Sequence, residues 1–323
     1  MSTQAPPRSH SHMWLVGVAG LLAGLALMIY VPTLKAVSGT LFLVAGFHLL
    51  GALIALTSIR ITFRSRWRRS RPRVTSTSQS PLDFGWAPAW TLGPLLFAVV
   101  LWALAVVIEL SWPLWWPVAF LFGLLGAGAF AGYLIAKTTT DAHFAPLPMV
   151  DLLPGGQGVV LDGGCGAGRT SLAVANAYPQ AKLVAVDRFD SDYIQDGGRS
   201  LLTRNATHAG FIDRLQIAQG DLTAMQFADD FFDAAVSAHA MDHLGHATER
   251  GLAEMWRVLK PGAHFLLVVW VPGWMMFAVA NVLSFFLRGR AEWRALARGV
   301  GFELLREGDF NGYWYLLLKK RAP

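Results

Sequence analysis

Four long apolar stretches within the first 135 residues constrain the fold of this chain more than any other feature. Two of them carry no charge over 19 and 23 residues, Met13–Val31 and Val37–Ile59. Leu92–Leu110 carries only Glu109, near its end, and Leu114–Ile135 again carries none. Since a helix needs about 20 apolar residues to cross the hydrocarbon core of a bilayer, each stretch predicts one membrane-spanning helix.

The first of these stretches has a second interpretation, a cleaved signal peptide. Its apolar run is longer than a usual signal-peptide core, and no small-residue cleavage site follows it cleanly. We therefore predict an N-terminal tail at residues 1–12 and a domain of four transmembrane α-helices over residues 13–137. A hydrophobic fraction of 54% against 15% charged residues fits that prediction and excludes a disordered chain or a fibre.

Arginine determines the predicted orientation. The link at residues 60–91, between the second and third stretches, contains a cluster of arginines: Arg60, Arg64, Arg66, Arg68, Arg69, Arg71 and Arg73. Such clusters stay on the cytoplasmic side, so both termini and residues 141–323 are predicted in the cytoplasm, beneath a bacterial inner (plasma) membrane. The cluster can also attract anionic lipid head groups. Because it is the main source of the formal net charge of +6, that charge does not indicate nucleic-acid binding.

Cysteine and histidine limit the metal and redox chemistry. Cys165 is the only cysteine, which excludes an internal disulfide and a cysteine-built zinc site. We predict no bound metal, because His239, His243 and His246 lack a suitably spaced carboxylate. His48 is the only histidine within the four apolar stretches, where it is either an interhelical hydrogen-bond partner or a functional group.

From residue 158 onward the pattern changes to short strands that alternate with helices. Val159–Leu161 is typical of a buried strand and leads into Asp162-Gly-Gly-Cys-Gly-Ala-Gly168, followed by a helical pattern over Arg169–Ala177. A glycine turn between strand and helix lets a ligand approach the backbone, and the helix N-terminus favours negative charge. A second strand, Lys182–Val186, ends before Asp187, where an acid can accept ribose hydroxyls.

The glycine spacing is GxGxG rather than the GxGxxG of dinucleotide-binding proteins. With Asp162 before it, this turn resembles the first motif of class I S-adenosylmethionine-dependent methyltransferases, D-x-G-C-G-x-G. Further segments over residues 141–321 resemble the same family in the correct order: Asp187, Gly220-Asp221-Leu222, Phe231-Phe-Asp-Ala-Ala-Val-Ser237 and Glu254-Met-Trp-Arg-Val-Leu-Lys-Pro-Gly262. The resemblance implies a methyltransferase domain over residues 141–323, of α/β class, with a seven-stranded Rossmann-like sheet whose last strand is antiparallel.

The resemblance also implies S-adenosylmethionine as the cofactor and gives roles to the matched residues. Asp162 and the turn glycines would hold the methionine end, Asp187 the ribose and Asp221 the adenine. The complete predicted set is Asp162, Gly163, Gly164, Cys165, Gly166, Gly168, Asp187, Arg188, Phe189, Gly220, Asp221, Leu222 and Ser237. Cys165 is interpreted as a small residue of the turn, since no basic partner that would make it a thiolate is near in sequence.

The segment after the fourth strand is the predicted acceptor side. In this family these residues face the transferred methyl group, and here they include His239, Asp242 and His243. Methyl transfer needs alignment of the reactants, and a base where the acceptor must lose a proton. We predict a base and its orienting acid among these three candidate catalytic residues. The alternative is that His243 caps the following helix and Asp242 faces solvent.

An apolar insert at residues 271–290 follows the fifth strand, predicted at His264–Val269. Three interpretations are open for it: a lid over the acceptor, a helix lying in the membrane interface, or core packing. A helix at Glu292–Arg298 and strands at Phe302–Arg306 and Tyr313–Leu318 complete the predicted domain.

Taken together, these features predict methyl transfer to a lipophilic or membrane-borne small molecule, such as a phospholipid head group or a quinone or isoprenoid compound. The predicted partners are thus the lipid bilayer and this acceptor. Two alternatives stay open: a membrane-anchored module that binds the cofactor without catalysis, and a methyltransferase for a soluble small molecule held at the membrane. Room for an acceptor beside His239 distinguishes an enzyme from a binding module.

Overall fold

The computed structural model describes residues 82–85, 88–139, 146–192, 194–273, 281–310 and 313–321, together with Leu22, Ala26 and Met276. The chain divides into two compact units. One includes Leu92–Ala136, and the other includes Ile61–Thr91, Lys137–Phe277 and Val282–Pro323.

The first unit contains two long apolar helices, α1 (Pro88–Ser111) and α2 (Trp116–Thr139), which a short 3-10 turn at Pro113–Trp115 connects. The Trp102 Nε1–H donates to the Gly123 carbonyl at 3.3 Å, so the two helices pack side by side. A Cβ atom on Gly126 would lie 2.7 Å from the Trp102 ring, which shows why the close approach requires a glycine there.

Among the described residues, Leu92–Ser111 and Pro113–Leu134 are the helices long and apolar enough to cross a membrane. They occupy nearly the same residues as the third and fourth predicted spans. The first two predicted spans, 13–31 and 37–59, lie outside the described residues, apart from Leu22 and Ala26, which are helical. The prediction of four spans is therefore supported only as two candidate helices.

The second unit is a seven-stranded sheet flanked by helices. The strands are β1 (Val159–Gly163), β2 (Lys182–Asp187), β3 (Leu215–Gln219), β4 (Phe232–Ala238), β5 (Leu259–Val269), β6 (Phe302–Phe310) and β7 (Tyr313–Lys320). The helices are α3 (Arg169–Ala177), α4 (Arg199–His208), α5 (Thr248–Val258) and α6 (Arg290–Val300). The order is β3-β2-β1-β4-β5-β7-β6, with β1 to β5 parallel and β7 antiparallel to both of its neighbours. The predicted α/β sheet is confirmed.

Both faces of the sheet are covered, which explains the apolar character of its strands. Neighbouring residues point to opposite faces, so Leu161 and Phe265 join one buried cluster while Val160 and Leu266 join the other. A parallel sheet buried on both sides produces continuous apolar runs rather than alternation.

Several strands extend beyond their predicted ends, among them β1, which runs to Gly163, and β2, which runs to Asp187. β5 begins at Leu259 rather than His264, because Phe232 of β4 still pairs with Leu259 across an irregularity in register. β6 runs to Phe310 rather than to Arg306, and β7 runs to Lys320. Lys320 is buried, with its Nζ donating to Asp230 and to the Leu259 carbonyl, both at 2.7 Å, so a charge at this strand end is stabilised by partners distant in sequence.

Leu82–Gly85, from the link between the second and third apolar stretches, belongs to the second unit and packs on α4. The Asp83 N–H donates to Asn205 Oδ1 at 3.1 Å, and Asn205 Nδ2 donates to the Asp83 carbonyl at 2.7 Å. Phe84 is buried with Ala167 and Leu201. We call Leu82–Gly85 the strap.

Candidate active site

The carboxyl ends of the parallel strands form the edge at which both predicted sets of site residues lie. We call the ends of β1, β2 and β3 the cofactor half. The ends of β4 and β5, with the first residue of β7, are the acceptor half. Since β7 is antiparallel to β5 and its Trp314 pairs with Val269, Tyr313 reaches this same edge.

The glycine turn after β1 is tightly packed. The N–H groups of Gly164 and Cys165 donate to the Val186 carbonyl of β2 at 2.8 and 3.2 Å. Gly164 has φ +80°, and a Cβ atom there would lie 2.1 Å from the Ala240 Cβ. Only glycine therefore fits at this position. The same contact shows that the segment after β4 touches the glycine turn.

Asp162, at the end of β1, is 1% exposed and only half satisfied. Its Oδ2 accepts a hydrogen bond from Ser171 Oγ at 2.5 Å, while its buried Oδ1 has no hydrogen-bond partner among the described residues. Burial raises the pKa of this carboxyl from 3.8 to about 7, the Ser171 hydrogen bond lowers it, and the charge of Asp187 raises it further. A buried, unpaired carboxylate oxygen fits a cationic ligand group such as an ammonium.

Asp187, at the end of β2, organises the turn. Its Oδ2 accepts from the Gly166 N–H at 2.8 Å and its Oδ1 from the Phe189 N–H at 2.9 Å. Each carboxylate oxygen keeps a further lone pair, so the same carboxylate can also accept hydroxyl hydrogens. Phe189 has φ +56°, a left-handed backbone that is uncommon outside glycine.

The β3 end supplies the third part of the cofactor half. The Gly220 N–H donates to the Asp187 carbonyl at 3.0 Å. Asp221 is exposed, and its Oδ1 accepts from the Thr223 N–H and hydroxyl, both at 2.8 Å, which lowers its pKa. Leu222 is 6% exposed beside the glycine turn.

Cys165 and Arg188 differ in their surroundings. Burial, together with the charges of Asp162 and Asp187, raises the pKa of the Cys165 thiol, so the thiol stays protonated at neutral pH and does not act as a nucleophile. Arg188 is exposed and pairs with Asp190 at 2.6 Å, so its side chain is bound to a neighbouring surface acid rather than to the turn.

The segment Gln195–Gly198 belongs to the cofactor half, although the sequence did not reveal it. A Cβ atom on Gly198 would lie 2.8 Å from the Gly166 carbonyl carbon. The preceding Ile194 reaches the turn as well, because its Cδ1 lies 3.0 Å from the Cβ position of Gly166. The glycine pair before α4 was the available signal.

The acceptor half is built around aromatic rings. His239 directly follows β4 with φ +58°, and its ring centre lies 4.1 Å from that of Tyr313 and 5.7 Å from that of Trp270. His243 is exposed, with its ring centre 5.9 Å from Trp270 in an edge-on arrangement. Asp242 is half-buried, and its Oδ2 accepts from the Trp270 N–H at 3.1 Å.

These contacts test the alternative interpretation of the trio. Asp242 is bonded to the backbone of β5's continuation rather than facing solvent. His243 does not cap α5, which begins at Thr248, where the Thr248 hydroxyl donates to the Gly245 carbonyl at 2.7 Å. The described residues contain no group of three or more His, Cys, Asp or Glu side chains that could hold a metal ion.

Four buried polar atoms of the acceptor half have no hydrogen-bond partner in the part of the chain that the structure describes: Ser237 Oγ, His239 Nδ1, Asp242 Oδ1 and Trp270 Nε1. Buried polar atoms of folded proteins are nearly always paired, and each exception calls for an explanation. Four such atoms along one short stretch of the sheet edge indicate a binding site, in which a ligand would supply the missing hydrogen-bond partners.

Two groups of the acceptor half are held neutral. Burial lowers the pKa of His239 from 6.5 to about 4; the Asp242 charge raises it and the neighbouring His243 lowers it. Burial raises the pKa of Tyr313 to about 12. At neutral pH the His239 imidazole is therefore uncharged and has one ring nitrogen able to accept a proton.

The apolar insert ends in exposed aromatic residues. Phe285 and Phe286, at the end of the 3-10 segment Asn281–Phe286, are 71% and 85% exposed. Core packing is therefore wrong for these two side chains. Arg288 follows and donates to the Gly245 carbonyl at 2.8 Å, which ties the insert to the segment that carries His243. Trp274 and Phe277 lie outside the described residues.

Comparisons with known proteins converge on one domain type. A family model described as a methyltransferase domain matches residues 160–262. A demethylmenaquinone methyltransferase of Symbiobacterium thermophilum is 31% identical over 108 residues, 33% of this chain and 40% of that protein. A 24-methylenesterol C-methyltransferase 2 of Arabidopsis thaliana is 28% identical over 173 residues, 50% of this chain and 45% of that protein.

The match therefore spans less than half the length of these curated relatives. Among solved structures, a S-adenosylmethionine-dependent methyltransferase of Methanosarcina mazei aligns with a TM-score of 0.45 at 20% identity, covering 55% of this chain and 100% of that one.

Proposed function

We propose that this chain, which contains a class I S-adenosylmethionine-dependent methyltransferase domain, methylates a flat, lipophilic acceptor that carries a hydroxyl group. One observation carries the proposal. The segment 237–242, which bears three of the four unpaired polar atoms, touches the glycine turn, since Ala240 packs on Gly164; the fourth atom belongs to Trp270, whose ring lies beside His239. A ligand that satisfies those atoms would thus lie next to the cofactor.

The cofactor half fits S-adenosylmethionine. The unpaired Asp162 Oδ1 would accept from the ammonium of its methionine end, and Asp187 would accept from the ribose hydroxyls. Asp221 and Leu222 would border the adenine. When bound, the cofactor supplies an electrophilic methyl group, and the residues of the acceptor half orient the group that receives it.

The acceptor half supplies both walls and hydrogen bonds. The rings of His239, Tyr313 and Trp270 form an aromatic surface against which a flat ring can stack. The neutral His239 would accept the proton of the acceptor hydroxyl, and the carboxylate of Asp242 would stabilise the imidazolium that forms. The Trp270 indole N–H and the Ser237 hydroxyl would donate to the acceptor oxygen.

The lipophilic character of the acceptor is supported by two further observations. The relatives are named for demethylmenaquinone and for a methylenesterol. Phe285 and Phe286 are exposed on the insert, as expected for residues at a membrane interface, and Arg288 bonds the same insert to the segment that follows His243. A hydroxylated ring satisfies the unpaired polar atoms better than a hydrocarbon does, which favours a quinol-like acceptor over an alkene carbon.

The acceptor class can be tested with the full chain, methyl-labelled S-adenosylmethionine and three probes: a reduced demethylmenaquinone in lipid vesicles, a sterol in lipid vesicles and a water-soluble catechol. We expect label in the quinol and its loss in His239→Asn. Label found only in the sterol, and there on a side-chain alkene carbon, would contradict the hydroxyl requirement, and labelling of the catechol alone would contradict a lipophilic acceptor. Cofactor binding without any transfer would favour a binding module.

The insert can be tested as the acceptor's entrance. We expect Phe285→Ser with Phe286→Ser to raise the KM for a vesicle-borne acceptor about tenfold or more, since burial of one aromatic side chain contributes about 1.5–3 kcal/mol. The Kd for S-adenosylmethionine should be unchanged. Leu305→Ser, at an exposed apolar position on β6, is the control. An unchanged KM in the insert variant would contradict the proposal.

We also propose that the chain is a multi-pass protein of a bacterial inner membrane with the methyltransferase domain in the cytoplasm. The strap supports one part of this topology. Because Leu82–Gly85 is hydrogen-bonded to α4, the link at residues 60–91 and the domain belong on the same side of a membrane.

Cysteine labelling tests this topology cleanly, because the native Cys165 is buried. Ser78→Cys and Ala322→Cys should react only from the cytoplasmic side, and Ala36→Cys only from the outside. Opposite sides for positions 78 and 322 would contradict the proposed topology.

A further inference from the structure

The strap makes several specific contacts with the cofactor half, more than are expected of a simple connecting loop. Besides the two hydrogen bonds between Asp83 and Asn205, the Gln195 N–H donates to the Gly85 carbonyl at 2.9 Å. Gly85 has φ +66°, and a Cβ atom there would lie 2.0 Å from Leu201 Cδ1. The strap thus fits closely over the start of α4 and over Gln195–Gly198, the segment that packs on Gly166.

Asn205 joins the strap to the glycine turn. It is 1% exposed, and its Nδ2 donates both to the Asp83 carbonyl at 2.7 Å and to the Ala167 carbonyl at 2.9 Å. Ala167 is a residue of the glycine turn itself. One buried amide therefore fixes the distance between the strap and the turn. Its burial also makes the formal glycosylation signal Asn205-Ala-Thr unusable in the folded chain.

Phe84 makes the second connection. It is 5% exposed, packs on Ala167 and Leu201, and lies under the guanidinium of Arg169, which is 4.1 Å from the ring centre. Arg169 is the first residue of α3, whose N-terminus the glycine turn forms. Phe84 therefore contacts the turn at Ala167, as the Asn205 amide does, and also the first residue of α3.

We propose that the strap completes the cofactor site, with Phe84 and Asn205 as positioning residues that hold the glycine turn and Gln195–Gly198 in the geometry that binds S-adenosylmethionine. The inference rests on the cofactor assignment of the proposed function, not on the acceptor. Linkage makes the relation reciprocal: if the strap strengthens cofactor binding, the cofactor must stabilise the docked strap by the same factor. A segment from the link between two apolar stretches would then report on cofactor occupancy.

Hydrogen exchange of the full chain tests this reciprocity without any mutation in the strap. We expect saturating S-adenosylmethionine to slow amide exchange at Asp83 and Gly85 at least fivefold, the lower end of typical coupling factors. Amides of α6 should not change. In Asp187→Ala, which we expect to bind the cofactor weakly, the same concentration should leave the strap amides unaffected.

A strap with only a structural role would exchange at the same rate with and without the cofactor, and this result would overturn the inference. Wild-type chain that fails to bind S-adenosylmethionine at all would instead overturn the proposed function, so the two failures are distinguishable.

Substitution gives the second measurement. Phe84→Ala should raise the Kd for S-adenosylmethionine about tenfold, and Phe84→Tyr, which keeps the ring over which Arg169 lies, should restore most of the affinity. Phe302→Ala removes a ring that is also buried, at the amino end of β6 and so at the opposite edge of the sheet, and is the matched control for lost aromatic packing. Equal Kd values for Phe84→Ala and the wild type would contradict the proposal, as would equal losses in Phe84→Ala and Phe302→Ala.

Discussion

The two halves of the sheet edge satisfy their polar groups in different ways. In the cofactor half, both oxygens of Asp187 accept backbone N–H groups, and Asp221 is bonded to Thr223. In the acceptor half, polar atoms of Ser237, His239, Asp242 and Trp270 have no partner within the described ranges. In the first half the backbone orients Asp187, and Asp162 Oδ1 alone among its three carboxylates is left buried without a partner in the described ranges; in the second half four polar atoms are left so, and we propose that a ligand pairs them.

This difference has a physical origin in the path of the chain. The glycine turn, Asp187 and Asp221 lie at the ends of three neighbouring strands, where backbone amides are available to orient each carboxylate. The acceptor half brings together His239, Trp270 and Tyr313 from three segments of the chain. Their side chains contact one another through their rings, and no backbone N–H group of the described residues donates to the His239 ring. A site of this kind keeps unsatisfied atoms until a substrate enters.

The substitution His239→Asn is expected to give the largest difference between the two halves, because it should reduce turnover of the acceptor and leave cofactor binding unchanged. Asparagine tolerates the left-handed backbone at this position, so the substitution removes the base with little backbone strain. Turnover of a hydroxylated acceptor should fall about 10²- to 10⁴-fold, the usual contribution of a general base. The Kd for S-adenosylmethionine, measured by calorimetry, should stay within about twofold. His208→Asn at the end of α4 is the control. A loss of cofactor affinity in His239→Asn would mean that His239 contributes to cofactor binding, and the two halves would not be separate in function.

The converse substitution is Asp187→Ala. Loss of charge-assisted hydrogen bonds to the glycine turn and to the ribose should cost about 1.5–3 kcal/mol each, so the Kd for S-adenosylmethionine should rise about 10-fold to 150-fold or more. Asp213→Ala, at the opposite end of β3, should leave the Kd unchanged. Unchanged binding in Asp187→Ala would remove the main support for the cofactor half.

The pH dependence of cofactor binding tests the role of Asp162 within the cofactor half. The Asp162 carboxyl, with a pKa of about 7, must be ionised to pair with an ammonium. Below pH 7 the affinity for S-adenosylmethionine should therefore fall, by up to about tenfold per pH unit, with release of about one proton on binding.

Calorimetry at pH 6 in two buffers of different ionisation enthalpy measures this proton, and Asp162→Asn should abolish its release. In the cofactor-free protein, the free energy of unfolding depends on pH with the opposite sign to that of cofactor affinity. Because the folded state holds this proton between pH 3.8 and about 7 while the unfolded state does not, this group lowers the free energy of unfolding as pH rises through that range. Binding that is independent of pH between 5 and 7 would contradict the role of Asp162.

The smallest expected effect is that of Trp270→Phe. The ring stays and only the indole N–H is lost, so the KM for the acceptor should rise about 2-fold to 12-fold, equivalent to about 0.5–1.5 kcal/mol for one hydrogen bond. Trp256→Phe is a matched control, because its Nε1 is likewise buried and unpaired among the described residues but packs beside Gly301. Equal kinetics for both variants would mean that the Trp270 N–H does not contact the acceptor.

The sequence predicted the strand, turn and helix of the cofactor half well because the determinants of these elements are local. The strand, the glycine turn and α3 follow one another directly, and the helix Arg169–Ala177 has its predicted ends. The seven-stranded sheet and its antiparallel last strand followed from the family resemblance. Strand ends were less predictable, since Lys320 is held in β7 by Asp230 and Leu259, which lie far away in the sequence.

The acceptor half and the strap were less accessible to prediction. His239 and Asp242 were identified, but Tyr313 and Trp270 lie on other strands and carry no motif of their own. Leu82–Gly85 lies in a link that the arginine cluster marked only as a membrane-side loop. Its docking depends on Asn205, 122 residues from Asp83, and no local pattern indicates such a contact.

The central claim, that one half of the edge delivers a methyl group to a lipophilic acceptor held by the other, has a direct test. The full chain in lipid vesicles is incubated with a total lipid extract and S-adenosylmethionine carrying an isotope-labelled methyl group, and the lipid and aqueous fractions are analysed by mass spectrometry. We predict a labelled lipid product that the wild type forms and that neither Asp187→Ala nor His239→Asn forms at a comparable rate. Labelled products confined to the aqueous fraction, while the wild type consumes its cofactor, would contradict the claim.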